Sequence, residues 1–160
     1  MKKLILLLFI PLVSFSQTYK DVMSIKSEAT FKKVAIENNY ELDSVDDEGW
    51  VTYGFEIQRD SIDGNKSSKW LLYNTNDDRF VLGFSRKMFF DLVNESTKYN
   101  EIFDKVKEKC SFYDILQYKG DDYACYSCAE STYKGKIGFF LAEGWGYIRH
   151  FPDGKSVAED

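Results

Sequence analysis

Three cysteines, one histidine and three acidic clusters are the residues of this chain with the types and spacing to do chemistry. Cys125-Tyr126-Ser127-Cys128 has the spacing of a thiol–disulfide catalyst. That chemistry uses a helix N-terminus to hold the attacking sulfur as thiolate. The stretch from Ala129 to Gly135 does not read as a helix start, and no βαβ pattern precedes it, so a structural role is expected. Residues three apart on a strand point to opposite faces, so Cys125 and Cys128 do not pair easily while extended. Cys110 falls on the apolar side of a predicted helix and Cys128 on the apolar side of a predicted strand. The expected disulfide is therefore Cys110–Cys128, worth about 3 kcal/mol. Cys125 is then the free thiol, although it stays open as the alternative partner of Cys110.

His150 is the single histidine, which excludes two-histidine metal motifs. Neither a metal nor another cofactor is expected. A general base is one reading of His150; a hydrogen-bonded structural histidine is the expected one. Acidic residues cluster at Asp43 to Glu48, at Asp77-Asp78 and at Asp121-Asp122. Paired carboxylates serve glycoside hydrolysis, and oxygen-rich loops hold calcium. Asp43-Ser44-Val45-Asp46-Asp47-Glu48-Gly49 lacks the alternating ligands of a calcium loop, and all three clusters read as solvated turns. No nucleophile elbow or phosphate loop is present.

Two amphipathic helices and a set of strands must position these groups. Phe31, Val34 and Ala35 follow helical spacing, with Ser27 as N-cap and Asn38-Asn39 as the stop. Tyr99, Ile102, Phe103, Val106 and Cys110 share one face of a second helix, capped by Ser96 or Thr97, with Lys105, Lys107 and Lys109 near its C-terminal end. A short further helix covers Tyr19 to Ile25. Strands are expected at Trp50–Ile57, Lys69–Asn74, Arg79–Phe84, Asp122–Cys128, Lys136–Ala142 and Trp145–Phe151, with Glu143-Gly144 as a tight turn and Gln58–Ser68 as an exposed loop. Met88 to Val93 fits either strand or helix.

The two halves repeat the order helix, strand, loop, hairpin. Trp50, Val51 and Tyr53 align with Tyr123, Ala124 and Tyr126; Leu72, Tyr73, Phe80 and Val81 align with Phe139, Phe140, Tyr147 and Ile148. The expected fold class is α+β: an antiparallel sheet with two amphipathic helices packed on one face, built as a tandem duplication of an αβββ unit. Such a two-unit fold resembles secreted enzyme inhibitors of the β-lactamase-inhibitor-protein kind and cystatin-like domains. The likeness is one of fold and brings no inhibitory loop with it.

The N-terminus bounds where the protein works. Lys2-Lys3, the apolar run Leu4 to Val13 and the small-x-small pattern Ser14-Phe15-Ser16 are the parts of a cleaved signal peptide, residues 1–16. The apolar run is too short to cross a bilayer, which needs roughly twenty residues. No cysteine follows the cleavage site, so no lipid anchor is expected. One domain, 17–152 (units 17–92 and 93–152), and a polar tail, 153–160, make up the rest. Loss of Lys2 and Lys3 takes the formal charge from -5 to -7, a poor match to nucleic acid. The expected location is periplasmic or secreted.

Aromatic residues make up 17% of the chain, and many fall on predicted strands. Trp50, Trp70, Tyr123, Trp145 and Tyr147 are expected on the sheet side away from the helices. Tyr and Trp concentrate at protein interfaces and on sugar-stacking surfaces. The expected function is an exported binding module, an inhibitor or accessory protein, that meets another envelope or extracellular protein through this aromatic face. The rivals are an envelope hydrolase using the acidic loops with His150, and a structural envelope component.

Overall fold

The computed structural model describes residues 18–59, 62, 64–85, 98–129, 131–142 and 145–153. The expected signal peptide, the Ser96/Thr97 cap, Met88–Val93, the Glu143-Gly144 turn and the tail beyond Asp153 lie outside the described residues.

The N-terminal half begins with α1 (Tyr19–Ser24) and α2 (Glu28–Glu37). Thr18 caps α1, and its partner Asp21 bonds back to the Thr18 N–H at 2.8 Å. Ser27 caps α2, accepting from the Thr30 N–H, and the helix stops at Asn38, followed by Asn39 at φ 58°. Both caps satisfy amide N–H groups that a helix start leaves without partners. Four strands follow: β1 (Tyr40–Val45), β2 (Trp50–Phe55), β3 (Lys69–Asn74) and β4 (Arg79–Ser85). The C-terminal half repeats the order with α3 (Lys98–Lys109), β5 (Ser111–Tyr118), β6 (Asp121–Ser127), β7 (Gly135–Ala142) and β8 (Trp145–Pro152).

The eight strands form one open antiparallel sheet in the order β1-β2-β3-β4-β8-β7-β6-β5. Each half is a meander, and β4 joins β8 at the centre through five paired positions, Val81↔Arg149 to Ser85↔Trp145. The fold is therefore of the mixed α+β kind. Two strands were not expected from the sequence, β1 and β5. They are the two edges, and β5 is almost wholly exposed, so neither carries the half-buried alternation by which strands are recognised. Each edge strand also bulges, β1 between Leu42 and Ser44 and β5 between Phe112 and Asp114. Bulges twist an exposed edge away from pairing with other chains. Lys119 and Gly120, both at positive φ, make the two-residue turn from β5 to β6 that matches strand twist.

Side chains of directly paired residues share a face. On the first face lie Val51, Tyr53, Leu71, Tyr73, Phe80, Leu82, Ile148 and Phe139, all buried. Phe31 of α2 is fully buried, with its ring 5.2 Å from Tyr73, 5.6 Å from Tyr53 and 6.2 Å from Phe80. In α3, the ring of Phe103 lies 4.7 Å from Phe139, and Tyr99 lies 5.9 Å from the same ring. These contacts belong to the main core, which extends from α1 to β8. The expected alignment of Leu72 with Phe139 does not match the sheet faces. Leu72 is paired with Val81 on the second face, whereas Phe139 is paired with Ile148 on the first. Tyr73, paired with Phe80, is the residue of β3 that shares the first face with Phe139.

Candidate functional site

The predicted aromatic residues all fall on the second face. Trp50 and Trp70 reach it from β2 and β3, Tyr123 from β6, and Trp145 and Tyr147 from β8. Three of them come together. Gly54 pairs with Trp70, Trp70 with Gly83, Gly83 with Tyr147, and Tyr147 with Phe140. One row of the sheet thus places the Trp70 and Tyr147 side chains on either side of Gly83. Trp145, two residues before Tyr147, stacks on it at 6.4 Å. With no side chain at Gly83, a groove of about 370 Å³ opens between these rings. Thr52 and Leu72 also line it. A Cβ at Gly83 would lie 3.5 Å from Trp145 and 3.6 Å from Tyr147, so those rings frame the floor closely.

The groove has a polar end. Asp43 is the extra residue of the β1 bulge, and a bulge turns a side chain away from the face that alternation would give it. Asn65, from the loop after β2, donates from Nδ2 to Asp43 Oδ1 at 2.6 Å. A carboxylate, a carboxamide and the Thr52 hydroxyl therefore stand beside three half-buried aromatic rings. Neither Asp43 nor Asn65 was legible as a site residue. The signal would have been the bulge, and a bulge in an edge strand has no reliable pattern.

Two predicted residues lie apart from the groove. Trp50 sits on the same face with the Arg79 guanidinium 5.8 Å from its ring. Tyr123 is only 3% exposed and joins Cys125 and Phe151 in a small second core, packed against Phe140 at 5.2 Å. As a presented binding residue it is a correction: it supports the face from beneath. Burial moves its phenol pKa upward, with Arg149 acting in the opposite direction. Arg149, 8% exposed, lies 3.6 Å over the ring of Tyr118. Its Nε and Nη1 have no hydrogen-bond partner among the described residues, so ring faces carry its charge. Sequence reasoning had no signal for that contact, because Tyr118 and Arg149 meet only through the tertiary arrangement of β5 and β8.

Cys110 and Cys128 form the disulfide, joining the end of α3 to the end of β6. Cys125 is the free cysteine, on the opposite face of β6 and fully buried. Burial pushes its thiol pKa up to about 12, so it is neither nucleophile nor redox partner of Cys128.

His150 faces the first side and is 1% exposed. Its ring stacks on Tyr133 at 3.9 Å and lies 4.8 Å from Phe80. It is a structural residue, but the expected hydrogen bond is absent. Among the described residues neither ring nitrogen has a partner in hydrogen-bond geometry, and the backbone of Val22 acts against the larger effect of desolvation. Burial pushes the imidazole pKa down to about 3. Apart from Asp43, acidic residues of the clusters bond to neighbours close in sequence. Asp46 accepts from the Glu48 and Trp50 N–H groups at 3.1 and 2.8 Å, Asp77 pairs with Arg79, Asp78 accepts from the Tyr73 hydroxyl, and Asp122 accepts from Gln117 at 2.8 Å. Among the described residues no group of three His, Cys, Asp or Glu side chains has metal-binding geometry. No protein family, curated protein or solved structure matches this chain.

Proposed function

We propose that this protein is an exported binding module, an inhibitor or accessory protein, that engages a protein of the cell envelope or exterior through the second face of its sheet. One observation carries the reading: Trp50, Trp70, Trp145 and Tyr147 are only partly buried on that face. Large aromatic residues left partly in water are characteristic of recognition surfaces. The helix rings that meet the sheet, Phe31, Tyr99 and Phe103, contact first-face residues, which supports two helices packed on one side and the other side left to a partner.

In this reading the chain is a tandem duplication, each unit consisting of a helix and a meander. The two edge bulges support it, since one faces Tyr53 and Thr52, and the other faces Tyr126 and Cys125 at corresponding positions of β2 and β6. Export rests on residues 1–16. The Cys110–Cys128 disulfide is compatible with an oxidising compartment, and no described helix is long and apolar enough to cross a membrane. The hydrolase reading gains no support, because His150 is buried on the first face and Asp43 is the one carboxylate of the acidic clusters among the described lining of the groove on the second, so acid and base do not converge there.

The test is capture of a partner from native envelope with tagged full-length protein, compared with Trp50→Ala and Trp145→Ala. A reproducible partner lost in both variants is expected. No reproducible partner, or one retained equally by both variants, would refute the reading. N-terminal sequencing of the protein recovered from the envelope should start at Gln17.

A further inference from the structure

We propose that the groove on the second face is a subsite for one pyranose ring of an uncharged glycan. The inference deepens the binding-module reading and rests on it for the accessibility of this face. Three features point to a sugar.

The first is the pair of walls. Trp70 stands on one side of Gly83, and Tyr147 with Trp145 stands on the other. A pyranose has an apolar C–H face that packs on an aromatic ring, and a groove between two such walls takes a flat, thick ring of this kind. The second is the polar end. A pyranose presents adjacent hydroxyls, and planar carboxylate and carboxamide groups bind such pairs with two hydrogen bonds at once. Asp43 and Asn65 are held together at 2.6 Å, so the acceptor and the amide are already oriented. The third is charge. Asp43 is the one charged residue among the described lining of the groove, and no cation lines it. Phosphates, sulfates and uronic acids are thereby disfavoured, while neutral hydroxyl-rich ligands are not. The volume, about 370 Å³, falls at the small end of small-ligand clefts, which run from about 300 to 1,000 Å³.

The probes are methyl β-glucopyranoside, N-acetylglucosamine and cellobiose, with glucuronic acid as the anionic control. Each is titrated into the full mature chain while the tryptophan indole N–H signals are followed by NMR. A saturable shift of the Trp70 and Trp145 signals is expected, with a dissociation constant of about 1 mM, and a static Trp50 signal. Asp43→Asn and Trp145→Ala should each weaken binding about tenfold. Gly83→Ala places its methyl at ordinary contact distance, 3.5 Å from Trp145, so the fold persists while the floor rises; it too should weaken binding. The proposal falls if no neutral sugar moves Trp70 and Trp145, if glucuronic acid binds as tightly as the neutral sugars, or if Gly83→Ala and Asp43→Asn bind unchanged. A blank sugar titration beside a protein partner that Trp145→Ala still abolishes would sink the sugar and leave the binding face standing. Saturable sugar binding with no captured protein would support the subsite and remove the protein partner.

Discussion

Acid should destabilise this protein through His150, and the size of the effect follows from its surroundings. The imidazole is enclosed by Tyr133 and Phe80, with no partner in hydrogen-bond geometry on either nitrogen among the described residues. Its folded pKa is about 3, against 6.5 for the free side chain. The unfolded chain therefore binds the proton more readily than the native one. The stability contributed by the neutral ring is fully present above pH ~6.5 and is lost as the pH falls toward ~3. Each pH unit in that window costs about 1.4 kcal/mol, so the whole shift amounts to roughly 5 kcal/mol, and the loss at pH 4.5 to roughly 3 kcal/mol. Urea unfolding at pH 7.5 and 4.5, on the wild type and on His150→Phe, measures it. Phe keeps the aromatic stack and removes the titration. Carboxylate titrations occur in both proteins and cancel in the difference. The wild type should lose roughly 3 kcal/mol more than the variant, a shift of more than about 1 M urea in midpoint. Equal losses in the two proteins would refute the reasoning. So would an NMR titration showing the native His150 ring protonating near its unperturbed value.

Truncation of Phe31 to Ala should cost about 3–5 kcal/mol, measured by the same urea curves, because its ring is fully buried against three other rings. Opening the Cys110–Cys128 bridge, by reduction or by a double Cys→Ser change, should cost about 3 kcal/mol for its loop of 18 residues. Thiol titration of denatured, unreduced protein should find one free thiol, that of Cys125; three would contradict the pairing. Gly138→Ala should destabilise by about 1–3 kcal/mol, because its Cβ would fall 2.5 Å from Phe151 and 2.9 Å from Cys125 Sγ; unchanged thermal stability would count against the packing of the second face.

Local signals in this chain were strong where one residue's neighbours along the sequence decide its conformation. Ser27 and Asn38 bracket α2 because capping is a contact within one turn. The bounds of β3 were read directly, since Lys69–Asn74 alternates between faces and ends at a polar turn. The Cys110–Cys128 bridge was legible for the same reason: helix and strand periods placed Cys110, Cys128 and Cys125 on their faces before any packing was known. Edge strands were not legible, because an edge pairs on one side only and is not obliged to bury alternate residues.

The sequence by itself determined which residues are aromatic and which face each takes along its own strand, and it favoured Cys110–Cys128 while leaving Cys125 open as a partner. Periodicity is a property of the backbone, so it is written locally. Only the tertiary structure decided which of those aromatics act together. Strand order joined β4 to β8, and that pairing alone brought Gly83 between Trp70 and Tyr147. It left Trp50 elsewhere on the face, buried Tyr123 beneath it, and turned Asp43 toward the groove by a bulge. Register between strands distant in sequence depends on hydrogen bonds that no single segment specifies, which is why the face was readable and the groove on it was not.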